Sequence, residues 1–170
     1  MRLRLATLFS SLTIAAAFTA ATPATAAPQV AAVTATFNKP VVLTWIQDMD
    51  LGSMAPGPGT WSGVTVGISR DGLFSCANAN VTCTGATKAA QYQVTGTNNA
   101  VVRVSAPNVT LVNQADPTST LLLTLDAPAT VTLPNSGQPG AIFSIGGAVT
   151  LSSTTASGVY SGTLNVTVDY

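Results

Sequence analysis

Two cysteines and two neighbouring aspartates are the residues in this chain whose types and spacing could support chemistry. Cys76 and Cys83 could form a metal pair, a redox dithiol or a disulfide. A metal site lacks partners, because the chain has no His and no further Cys to complete a set of about four ligands. Redox dithiols usually hold about two residues between their sulfurs, and six separate these. The pair therefore reads as a structural disulfide, whose short loop gives a chain-entropy gain of about 2–3 kcal/mol. Asp48 and Asp50 share one face if their segment is extended, which raises a paired-carboxylate or calcium reading. Calcium asks for about six to eight oxygens, and no Asp-rich loop stands nearby. They read instead as a solvated strand end before a turn at Leu51-Gly52. Without His, a Ser or Cys nucleophile lacks its usual base. No Ser-x-x-Lys substitute occurs, and the glycines form no phosphate-cradling motif. The expectation is a protein that is not an enzyme, with no catalytic residue, no metal and no cofactor.

Composition narrows the class. Six basic and six acidic residues make only 7% of the 170-residue chain charged, against about a quarter in ordinary soluble domains. Part of the apolar excess sits at the N-terminus. Arg2 and Arg4 precede an apolar run from Leu5 to about Ala21, and Ala24-Thr25-Ala26 supplies a small-x-small cleavage pattern. Residues 1–26 are expected to be a cleaved signal peptide, and the protein to be exported through a periplasm to the cell surface or beyond. The remainder has four basic residues against six aspartates, a net charge near −2, so nucleic acid is not an expected partner. It contains no apolar run long enough to span a bilayer.

The elements that position these residues are strands. Val64, Val66 and Ile68 alternate with Thr65, Gly67 and Ser69; Tyr92 and Val94 alternate with Gln91, Gln93 and Thr95. Leu121, Leu123 and Leu125 follow the same rule, as do Leu164, Val166, Val168 and Tyr170 against Asn165, Thr167 and Asp169. Successive strand side chains point to opposite faces, so each set marks one buried face and one wet face. Turn signals separate the runs: Met54–Gly59, Asp71-Gly72, Asn98-Asn99 and Pro134–Gly140. Gly146-Gly147 reads as a hairpin turn between Ile142–Ile145 and Ala148–Leu151, since glycine tolerates the positive φ of primed turns. Eight or nine short strands at regular spacing predict an all-β, immunoglobulin-like sandwich.

The two ends carry the functional expectation. The alternation runs out to Tyr170, so the sandwich is expected to offer an open edge, and open edges invite strand addition. Residues 27–38 form an uncharged extension with apolar residues at Val33, Ala35 and Phe37, set off by Lys39-Pro40 from a body at 39–170. Gly158-Val159-Tyr160-Ser161-Gly162-Thr163 followed by Leu164–Tyr170 resembles the terminal motif of chaperone–usher pilins, especially spore-coat-U-like subunits of archaic pili. Trp45-Ile46-Gln47-Asp48-Met49-Asp50-Leu51-Gly52 with the Pro/Gly loop after it is similar to the first-strand motif of a related uncharacterised secreted β-domain family. The resemblance implies an incomplete sandwich finished by strand donation. A periplasmic chaperone and an outer-membrane usher would be partners, and self-association would follow by strand exchange. It implies Val33, Ala35 and Phe37 as donor side chains, Leu164, Val166 and Val168 as the acceptor edge strand, and Tyr170 as the chaperone's anchor. Residues 29–37 could equally be the domain's own first strand. The alternative function is a monomeric ligand- or carbohydrate-binding sandwich with Trp45, Trp61 or Tyr92 as stacking platforms.

Overall fold

Alternation in the sequence becomes alternation in burial. Along Ala90–Thr95, Ala90, Tyr92 and Val94 are buried while Gln91, Gln93 and Thr95 are half-exposed. The computed structural model describes residues 30–170, and the expected signal peptide lies outside the described residues. Thirteen strands are formed among the described residues. They begin with β1 (Val42–Gln47), β2 (Ser53–Pro56), β3 (Val64–Ile68), β4 (Phe74–Ser75) and β5 (Val81–Thr84). Next are β6 (Ala90–Thr95), β7 (Val101–Ser105), β8 (Val109–Asn113), β9 (Thr120–Asp126) and β10 (Thr130–Thr132). The last three are β11 (Ala141–Leu151), β12 (Tyr160–Ser161) and β13 (Thr167–Asp169). Among the described residues no helix is long and apolar enough to cross a membrane.

The fold is an antiparallel β-sandwich. One large sheet has the order β1-β6-β11-β9-β8-β12, with β3 beside β11 and β4 beside β3. A three-stranded sheet, β10-β7-β13, and a two-stranded sheet, β2-β5, cover it. Ala90, Tyr92, Val94, Phe143 and Ile145 of the large sheet pack with Val102 and Leu133 in one core, which Leu43, Val166 and Val168 flank. A second core joins Val64, Val66, Val81, Leu123, Val149 and Leu151. Tyr92 and Phe143 stack with ring centroids 5.9 Å apart.

Three expectations are corrected. The segment around Gly146-Gly147 is not a hairpin but the middle of the continuous strand β11. Ala141–Ile145 pair with β6, and Gly147–Leu151 pair with β3. The glycines are there for close approach: a Cβ on Gly146 would fall on the Ile68 carbonyl and within 2.5 Å of Arg70 N. The cue was present, because Phe143, Ile145, Val149 and Leu151 keep one odd-numbered phase across the pair, whereas a two-residue turn interrupts a strand. The Met54–Gly59 loop begins later than expected, since Ser53–Pro56 pair with Val81–Thr84. Pro56 fits there because β2 is an edge strand, and an edge tolerates a residue with no N–H. The strand count also exceeds eight or nine, because pairings of only two or three residues, at β4, β10, β12 and β13, form strands of their own.

At Ser69–Leu73 and Asn98-Asn99 the expected turns are present, with Gly72 at φ 81° and Asn99 at φ 58°. Residues 30–41 form no strand. Val33 and Phe37 are 92% and 98% exposed.

Candidate functional site

The last strand is paired on one side only. Thr167, Val168 and Asp169 of β13 pair with Ser105, Val104 and Arg103 of β7, and among the described residues no strand lies on the other edge. Burial alternates back to Leu164 although the ladder covers only 167–169: Leu164, Val166 and Val168 are half-buried, Thr163, Asn165 and Thr167 exposed.

Beside this segment lies a groove of about 630 Å³. Met49, Leu51 and Met54 of the β1–β2 region line it, as do Leu111, Leu123 and Val149 from β8, β9 and β11, and Leu164. Trp61 completes the apolar lining, its Nε1–H donating to the Gly57 carbonyl at 3.3 Å. Leu123 and Val149 are core residues, 3% and 2% exposed, whereas Leu51, Leu111 and Leu164 are half-exposed. The groove is thus a part of the second core that its own lining leaves open on one side. Asp50 at its rim is engaged locally: Oδ1 accepts from Gly52 N–H at 2.9 Å, and its backbone bridges Lys88. Asp48 Oδ1 accepts from Trp45 Nε1–H at 3.1 Å. The Asp50 carboxylate organises the turn expected at Leu51-Gly52, where Gly52 has φ 73°.

Segments distant in sequence hold the lining in place. Cys76 and Cys83 form the expected disulfide, with Cα atoms 6.3 Å apart. The bridge ties the β4 region to β5, and Cys83 pairs with Met54 of the groove. Asn113, 1% exposed, is the pivot of the opposite side. Its Nδ2 donates to the Ser157 carbonyl at 3.0 Å and its Oδ1 accepts from Ala115 N–H at 2.9 Å. Gly158 packs on it so closely that a Cβ would meet the Asn113 amide at 2.5 Å. Asn113→Ala removes both hydrogen bonds from this buried position and is expected to cost about 2 kcal/mol, read by calorimetry as a fall in melting temperature of about 5–10 °C. Asp116, in the turn after Asn113, has its carboxyl held below the ordinary range by hydrogen bonds from Thr118 and Ser119. Tyr92's hydroxyl is pushed up by burial and then by Asp48.

The residues expected at the site are divided by the structure. Leu164 lines the groove; Val166 and Val168 pack instead against the first core. The contacts of Tyr170 come from its hydroxyl, which donates to the Lys39 carbonyl at 2.6 Å and accepts from Thr97 N–H at 2.7 Å. Thr97 Oγ1 accepts from Lys39 N–H at 2.7 Å, closing the knot. Gly96 lies beneath it, where a Cβ would be 2.6 Å from the Tyr170 hydroxyl and would displace it. Of the three possible stacking platforms, Tyr92 is in the core at 9% exposed, Trp61 lines the groove, and Trp45 is 58% exposed. Sequence reading missed Asn113 and the Tyr170 knot, which do not depart from the strand pattern around them, and Leu51 and Met54, which it assigned to a turn and a loop.

Residues 41–170 match the family described as a domain of unknown function, DUF4402. No curated protein and no solved structure matches the chain.

Proposed function

The chain belongs to the DUF4402 family, and for this member we propose the work of a structural subunit that polymerises by strand donation into an exported surface fibre. Two observations carry the reading: β13 has no strand on its outer edge among the described residues, and Leu164, three residues before it, lines an open apolar groove. An added strand gains backbone hydrogen bonds from such an edge, and its alternate side chains gain burial in the groove. The donor is residues 27–38 of a sister molecule. Val33, Ala35 and Phe37 stand at strand spacing in a segment without charge, and Val33 and Phe37 are solvent-exposed. The scarcity of surface charge favours this use, because little repulsion opposes side-by-side association. A periplasmic chaperone that lends a strand before assembly and an outer-membrane usher that orders it complete the proposal, carried by the resemblance to pilin termini.

Purified protein at rising concentration is expected to give a ladder of bands on an unheated denaturing gel that collapses to monomer on boiling. Monomer at every concentration tells against strand donation. One observation favours the second reading, a carbohydrate-binding sandwich: Trp61 lines the groove, where an indole could stack on a sugar. Saturable glycan binding lost in Trp61→Ala, by a protein that stays monomeric, selects that reading.

A further inference from the structure

Trp45 faces the core side of the large sheet yet is left uncovered. It pairs directly with Tyr92, and residues paired across an antiparallel ladder point to the same face. Tyr92 is buried on the inner face at 9% exposed, so Trp45 is on that face too, but it is 58% exposed. Its neighbour two residues back, Leu43, pairs with the buried Val94 and packs against the first core. The difference is cover. β1 is the edge of the large sheet, and the opposing layer stops at β13.

The uncovered strip is the one that β13 borders. The Tyr170 hydroxyl binds the Lys39 carbonyl, so the end of β13 and the start of β1 meet at one point. Trp45 lies six residues beyond that point and Leu164 six residues before it, each about 20 Å of extended chain. Past Trp45 the chain continues into Met49 and Leu51, which line the groove together with Leu164. One stretch of chain thus carries both the exposed Trp45 and two residues of the groove lining. The indole is oriented by its bond to Asp48 at 3.1 Å, which ties down its edge while the residue stays 58% exposed.

We propose that Trp45 is a contact residue of the strand-acceptor site, receiving an apolar side chain of residues 27–38 from a second copy of this chain. The inference rests on the strand-donation reading and adds a second apolar station to it, beyond the groove. The occupant fits: the segment has no charged residue that the strip would have to desolvate, and Phe37, 98% exposed, offers an aromatic partner for the indole.

The test uses the full chain labelled with fluorotryptophan. Its two tryptophans give two fluorine resonances, that of Trp45 assigned by its loss in Trp45→Phe. A synthetic peptide of residues 27–38 is titrated in, with binding followed independently by the rise in melting temperature. The Trp45 resonance is expected to move with binding. Trp45→Ala is expected to weaken the peptide about tenfold at an unchanged melting temperature of the free protein, and Trp45→Phe to recover most of the loss. Peptide binding with a stationary Trp45 resonance and an unaltered Trp45→Ala affinity overturns the inference and leaves strand donation standing. Absence of both peptide binding and gel ladders removes strand donation, and the inference with it. A Trp45 resonance that moves with a soluble oligosaccharide but not with the peptide also overturns it, in favour of the glycan reading.

Discussion

Phe37→Asp, combined with Val33→Asp, is expected to abolish the gel ladder at every concentration while moving the melting temperature by no more than about 2 °C. The two halves of that result have separate causes. In the free chain Phe37 and Val33 are 98% and 92% exposed, and exposed substitutions of this kind change stability by about 0.5 kcal/mol or less. In the assembly the same side chains would be buried. Each loses about 1.5–3 kcal/mol of apolar transfer, and each new carboxylate adds a desolvation cost of several kcal/mol with no cation in the groove lining to offset it. Even about 4 kcal/mol is roughly a thousandfold in the association constant. A ladder that survives both substitutions removes residues 33 and 37 from the interface. A large fall in melting temperature would show instead that the segment belongs to the domain's own fold, the reading in which residues 29–37 are its first strand.

The second large effect is on folding. Gly146→Ala is expected to destabilise the domain by about 3 kcal/mol, the upper end of overpacking costs, measured by denaturant unfolding. The added Cβ would strike the Ile68 carbonyl, Ser69 C and Arg70 N. All three are backbone atoms at or just past the end of β3, whose Ile68 pairs with Gly147, and they cannot rotate aside as a side chain does. Relief would mean separating β3 from β11 where Gly147 pairs with Ile68, beside the buried Val66 and Val149. In a solvent-facing hairpin turn the same change would cost about 1–2 kcal/mol, the penalty for a Cβ at positive φ. The measurement therefore separates a continuous β11 from the hairpin that Gly-Gly suggests, and a cost of about 1–2 kcal/mol or less would restore the hairpin.

That contrast shows where local reading stops. Gly-Gly has two meanings in β-structure, positive φ or close approach, and only the neighbour across the backbone distinguishes them. Pro56 carries the same ambiguity: it breaks a central strand but sits comfortably at the edge, paired with Val81. Asn113 looks like any strand-end Asn until Ser157 is placed against it from 44 residues away. The cysteines were readable because elimination needs only composition.

The amino-acid sequence by itself determined the all-β class, the inner and outer face of β3, β6, β9 and the terminal segment, two of the turns, and the Cys76–Cys83 pair. These are properties of near neighbours: a side-chain period of two, glycine at positive φ, sulfurs seven positions apart. The tertiary structure alone decided that β11 runs unbroken, that Leu164 lines a groove while Val166 and Val168 do not, and that Trp45, paired with a core tyrosine, is itself exposed. A period of two states which way a side chain points but not which strand lies beside it. Cover and free edges follow from strand order, which long-range packing sets.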